Sequence, residues 1–170
     1  KPTEVLSSDY FRGLVSDDEN DQSATEDAFD TLHFVAARRL ARGHLVVVDA
    51  TNVQPEARKP LVELARRHHV LALAIVLNMP EALCQERNRD RPDRTFGPHV
   101  VRNQRSQLRR GLGSLQREGF RYVTILDTPE QVEGVEIERQ PLWTNRKSDH
   151  GPFDIIGDVH GCFDELAELL

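Results

Sequence analysis

Cysteine is scarce: the 170-residue chain has two, Cys84 and Cys162, far apart in sequence. They form neither a zinc-binding spacing nor a disulfide framework, which points to a reducing, cytoplasmic setting. No apolar run approaches the roughly 18–20 residues that a membrane-spanning helix needs. The first residues, Lys1-Pro2-Thr3-Glu4-Val5-Leu6, contain no initiator methionine and no secretory-signal pattern, so the chain reads as beginning inside something longer. A Gly-x-x-x-x-Gly-Lys-[Ser/Thr] segment is missing, which leaves no phosphate-cradling P-loop among these residues. Internal repeats and low-complexity tracts are absent too. Positive charge is the minority: 22 Lys and Arg face 28 Asp and Glu, for a formal net charge of -6 and a pI of about 5.6. Phosphate binding normally shows as a basic surface, so any nucleic-acid contact must rest on a local patch.

What is present is enough for one ordinary domain with its own core. Residues 3–8 read as a short strand, followed by an acidic loop at 16–21. Ser23 or Thr25 is placed to cap a helix carrying Phe29, Leu32, Val35, Ala36 and Leu40, which Gly43 ends. Leu45-Val46-Val47-Val48 is an apolar strand suited to burial on both faces. Residues 55–69 form an amphipathic helix with Leu61, Leu64 and Ala65 on one face and Arg58, Lys59, Arg66 and Arg67 on the other. Residues 70–77 are a second buried strand. Pro80 opens a helix that becomes strongly basic at Arg87, Arg89, Arg91 and Arg94. A long polar helix over 98–117 follows, then strands at 122–126 and 135–138. Strands alternating with helices predict an α/β fold, a parallel sheet with helices on both faces. Residues 141–151 break the rhythm as a linker. Phe153-Asp154-Ile155-Ile156-Gly157-Asp158-Val159-His160-Gly161 then starts a new unit, a strand running into Asp-x-His-Gly and a short helix.

Four groups carry possible chemistry. Asp9 lies at the end of the first strand, where ligands bind in open α/β sheets, and Arg12 follows three residues later. They are either a general base beside a phosphate-binding arginine, or a capping residue and a surface charge. Asp49 closes an apolar strand, as an acid facing a magnesium-bound nucleotide does; alternatively Asp49, Thr51 and Asn52 make the turn. Arg87 and Arg91, four apart, share one helix face as a phosphate-clamping lid, or belong to a solvated helix that Glu86, Asp90 and Asp93 neutralise. Asp158 and His160, two apart on a strand-to-loop turn flanked by Gly157 and Gly161, are placed to reach one metal ion, unless the turn holds them incidentally. Cys84, among apolar helix positions, reads as core.

The run 2–22 (PTEVLSSDYFRGLVSDDENDQ), with 47–54 (VVDATNVQ), 84–88 (CQERN) and 115–123 (LQREGFRYV), resembles the kinase domain of bacterial polynucleotide kinase-phosphatases, the end-healing enzymes of an RNA repair system. Residues 153–165 resemble the start of their calcineurin-like metallophosphoesterase domain. The resemblance implies a P-loop kinase-like fold over 1–140, lacking the first strand and P-loop, then a linker at 141–151 and an incomplete phosphoesterase at 152–170. It implies ATP and Mg2+ as kinase cofactors, a divalent metal such as Mn2+ for the phosphatase, and RNA or DNA 5′-hydroxyl ends and repair-complex proteins as partners. In it Asp9 is the base that deprotonates the 5′-hydroxyl, and Arg12 engages the acceptor strand. Arg87 and Arg91 touch the nucleotide phosphates, Asp49 lies near magnesium, and Asp158 and His160 are the first two phosphoesterase ligands. The later ligands of that domain are not in this chain. Two other readings stay open: a small-metabolite kinase of the same superfamily, and an inactive module that binds nucleic-acid ends.

Overall fold

The computed structural model describes residues 1–91, 96–139, 146 and 148–170. By contact density the chain divides into two units, Lys1–Val135 and Glu136–Leu170.

In the first unit two short apolar strands pair in parallel. β1 (Val5–Ser7) and β2 (Val47–Asp49) set Leu6 beside Val48 and Ser7 beside Asp49. The crossover between them holds two helices, α1 (Ser8–Ser16) and α2 (Thr25–Ala41). On α2, Ala28, Leu32 and Ala36 recur every fourth residue and form one buried stripe against Leu6 and Phe11. Full burial of Leu32 stabilises by about 2 kcal/mol. The cap differs from expectation: Ala24 holds the cap position of α2 with no side-chain bond, and Asp21 caps the 3-10 turn just before it. Its carboxylate accepts from the Ser23 backbone N–H at 2.9 Å and the Ser23 hydroxyl at 2.6 Å. These bonds hold the Asp21 carboxyl below its ordinary value, and they start a 3-10 turn (Gln22–Ala24) that runs into α2. After α2, Gly43 takes φ +70° and its N–H bonds back to Leu40 O, the left-handed stop that glycine tolerates.

The second parallel pair is β3 (Leu73–Leu77) with β4 (Tyr122–Leu126), Leu73 beside Tyr122 and Leu77 beside Leu126. α3 (Pro55–Arg67) leads into β3; α4 (Glu81–Arg89), α5 (Pro98–Gly111) and α6 (Leu115–Glu118) fill the crossover. After β4, α7 (Pro129–Gly134) is capped by the Thr128 hydroxyl, which accepts from Gln131 N. Proline just inside a threonine cap is the sequence signal for that helix.

Several expectations are corrected. The single sheet is two two-stranded sheets among the described residues, because β2 and β3 do not pair with each other. Leu73, Ile75 and Leu77 alternate onto one face of β3 and stay more than half exposed, although their run suits burial on both faces. The helix expected over 98–117 breaks at Gly111 into α5, a 3-10 turn (Leu112–Ser114) and α6. No strand forms at 135–138 or at 153–156, since neither segment has a ladder partner among the described residues. In the second unit α8 (Phe163–Leu169) is the helix expected after Asp-x-His-Gly. Most of the proposed linker, 141–145 and 147, lies outside the described residues, as do Asp93 and Arg94. No helix among the described residues is long and apolar enough to cross a membrane.

Candidate active site

A cleft of about 750 Å³ opens at the carboxyl ends of β1, β2 and β3, lined there by Ser7, Asp49 and Leu77. Ligands of open α/β sheets bind at such edges, and the volume suits a nucleotide-sized molecule.

Asp9 lines this cleft, but it stands in the first turn of α1 rather than on the strand. A carboxylate there gains from the positive end of the helix dipole. Arg12 lies one turn on and is buried, with 5% of its surface exposed. Its Nη1 donates to Asp9 Oδ1 at 2.7 Å and to the Glu19 carbonyl at 2.7 Å. The second bond folds the acidic loop back on α1. Arg12 Nε is buried with no acceptor among the described residues, so this guanidinium keeps an unused donor in the cleft wall. The structure thus brings Asp9 and Arg12 together as an oriented pair.

Asp49 ends β2 and is exposed on the cleft floor. The turn beyond it carries Asn52 at φ +39°, a left-handed conformation that asparagine adopts more readily than most residues. Arg58 holds this turn. The sequence places Arg58 on the solvated face of α3; the structure buries it, 5% exposed. Its Nη1 donates to the Asn52 carbonyl at 2.9 Å. Its Nε and Nη2 make a two-pronged bond to Glu118, both at 2.7 Å. The Ser114 hydroxyl donates to the same carboxylate at 2.6 Å. Gly111 lets the chain pass closely, since a Cβ there would lie 3.3 Å from Arg58 Nη2. One ion pair thus fixes the loop after β2 to α6. No periodicity reveals it, because its partners are 60 residues apart.

The hydrogen bonds from Arg58, then from Ser114, hold the Glu118 carboxyl below its ordinary value of 4.5 against the opposing effect of burial. A carboxyl depressed in the fold contributes stability that is complete above its unfolded value and disappears as pH falls through its folded value. Thermal unfolding midpoints are therefore expected to decline as pH drops below 4.5. Glu118→Gln is expected to start lower and decline less steeply; parallel curves for the two proteins would contradict this assignment.

Arg87 and Arg91 both line the cleft, yet they do not share a helix. α4 ends at Arg89 with Asp90 as its cap, because the residue before Pro92 is disfavoured in the helical region. Neither arginine makes a hydrogen bond or ion pair among the described residues, so Glu86 and Asp90 do not neutralise them; Asp93, the third acid expected to do so, lies outside the described residues. The base of this wall is set by Asn88, which is buried. Its Nδ2 donates to Phe96 O at 2.7 Å and its Oδ1 accepts from Phe96 N at 3.1 Å. An asparagine amid four charged neighbours carries no signal of this clamp in the sequence. Cys84 is half-buried at the cleft edge with its thiol toward Met79 O. Arg12, Arg87, Arg91 and Arg105 thus outnumber Asp9 and Asp49 in the lining. A chain of net charge -6 has a cleft that attracts anions.

Asp158 and His160 sit in the second unit, Oδ2 and Nε2 3.4 Å apart and both exposed. Two donors do not hold a catalytic metal, and no group of three His, Cys, Asp or Glu is placed to bind one among the described residues.

A mixed α/β domain with small parallel sheets and an anion-accepting cleft at their carboxyl edges is compatible with a P-loop kinase-like fold. Residues 1–129 match the AAA_33 family, described as an AAA domain, and the chain belongs to that family. This domain is found in P-loop kinase-like proteins, polynucleotide kinases among them. No curated protein matches the chain.

Proposed function

We infer that the full-length protein transfers the γ-phosphoryl group of ATP to the 5′-hydroxyl of a polynucleotide end. The observation that carries this reading is the Asp9–Arg12 pair in one cleft with Arg87 and Arg91, which have no partner among the described residues. In the transfer the 5′-oxygen forms a bond to the γ-phosphorus while the bond from that phosphorus to the bridging oxygen breaks, leaving ADP. The hydroxyl proton passes to the Asp9 carboxylate. Arg12 orients that carboxylate and engages the acceptor strand beside it. Arg87 and Arg91 offset the charge on the phosphoryl oxygens.

Asp49 is a hard oxygen donor on the cleft floor, which suits Mg2+ carried in by the nucleotide, since that ion uses one or two carboxylates with substrate phosphates. Magnesium would supply positive charge at the β- and γ-phosphates. The sequence holds no Gly-x-x-x-x-Gly-Lys-[Ser/Thr], so the test belongs to the full-length protein.

Residues 1–140 are read as the kinase domain, 141–151 as a linker and 152–170 as the start of a metallophosphoesterase with Asp158 and His160 as two of its ligands. The spacing of that pair supports the reading, and no step is derived through a metal there.

Competition identifies the acceptor. A 5′-hydroxyl oligonucleotide is expected to suppress phosphorylation of a labelled one, while free nucleosides and sugars do not. Suppression by the small molecules alone would make the protein a metabolite kinase.

A further inference from the structure

Helix α5 carries Arg102, Arg105, Arg109 and Arg110 and no acidic residue, inside a chain whose net charge is -6. Offsets of three and four place Arg102, Arg105 and Arg109 on one helix stripe, about 10 Å long by helical rise. With Arg110, Ser106 and the carboxylate of Glu81 they line a shallow groove. None of these arginines forms an ion pair among the described residues. Arg105 belongs to both the groove and the cleft, and its Nε is buried with no acceptor among the described residues. Like charges this close repel unless anions lie between them, and Arg105 makes the stripe continuous with the cleft.

We propose that the α5 arginines form the track for the acceptor polynucleotide, gripping the phosphodiester backbone of the nucleotides that follow the 5′ end. This rests on the kinase reading above for where that end sits. The stripe is longer than one phosphate group and open along its length, which fits a chain of phosphates. Among the described residues the groove lining has no aromatic side chain, so it reads charge and not bases, and selects little by sequence.

The test is the salt dependence of binding of a 5′-hydroxyl dodecanucleotide to the full-length protein. Each phosphate contact adds about 0.7 to the slope of log K against log salt for a single strand. The combined variant Arg102→Gln, Arg109→Gln, Arg110→Gln is expected to lose about 2 from that slope. Its kcat/KM for the dodecamer relative to a dinucleotide is expected to fall roughly tenfold or more. The matching lysine variant, which keeps the charges and controls for folding, should retain most of the slope. An unchanged slope and length preference in the glutamine variant would overturn the track, as would a wild-type protein that does not bind the dodecamer, or a loss confined to ATP affinity. Binding with the expected slope loss but no transfer to any acceptor would leave the track standing and remove the kinase reading. Transfer with no slope change would do the reverse.

Discussion

Asp9→Asn in the full-length protein is expected to lower γ-phosphoryl transfer to a 5′-hydroxyl end by roughly 10²–10⁴-fold, the usual contribution of a positioned base, while the thermal midpoint stays near that of the wild type. Asparagine keeps the size of the side chain and an oxygen to accept from Arg12 Nη1, now 2.7 Å from Asp9 Oδ1, but it cannot take the acceptor's proton. Asp9→Ala is the less informative change. It leaves a buried arginine, whose Nε has no acceptor among the described residues, with the Glu19 carbonyl as its remaining partner there at 2.7 Å, and so mixes lost chemistry with lost structure. Steady-state transfer assays beside melting curves separate the two. An asparagine variant that transfers at the wild-type rate would remove Asp9 from the role of base.

Arg58→Ala is expected to destabilise the fold by about 3 kcal/mol, the scale of breaking a buried ion pair from one side. Glu118 would keep the Ser114 hydroxyl at 2.6 Å but lose both prongs of the guanidinium, and the Asn52 carbonyl would lose its donor. The loop after β2 would then be free of α6, so Asp49 would lose its fixed place in the cleft as well. Removing both charges is milder than removing one, because no lone charge stays behind: Arg58→Met with Glu118→Leu should recover a large part of the loss. Urea unfolding of the two variants beside the wild type measures this. If Arg58→Ala shifts the midpoint no more than an exposed-residue change does, the pair is not what holds this loop.

The elements that stand on local signals were legible from the residues alone. β4 spans Tyr122–Leu126 because its apolar run is bounded by Gly119 on one side and Asp127-Thr128-Pro129 on the other. Asp9 and Arg12 were visible as a pair because Asp9 follows the end of the first strand and Arg12 comes three residues later, although both stand on α1 and not at the strand end. Arg87 and Arg91 were visible as cleft residues, while Pro92 rules out the shared helix that their spacing invites. What remained hidden depends on distant partners. Arg58 looks like a surface charge until Glu118 is beside it, and Asn88 looks unremarkable until its amide meets the Phe96 backbone. The pairing into two small sheets depends on distant partners too: an apolar run suits a strand but shows neither which strand lies next to it nor that both its faces are covered, as the exposed Leu73, Ile75 and Leu77 illustrate.

The most direct test of the central claim is transfer of labelled γ-phosphate from ATP to a 5′-hydroxyl oligonucleotide by the full-length protein. The same oligonucleotide already bearing a 5′-phosphate serves as the comparison. The account predicts label on the 5′-hydroxyl strand alone, with the signal lost in Asp9→Asn. Label on neither strand, from a protein that is folded and binds ATP, would contradict it.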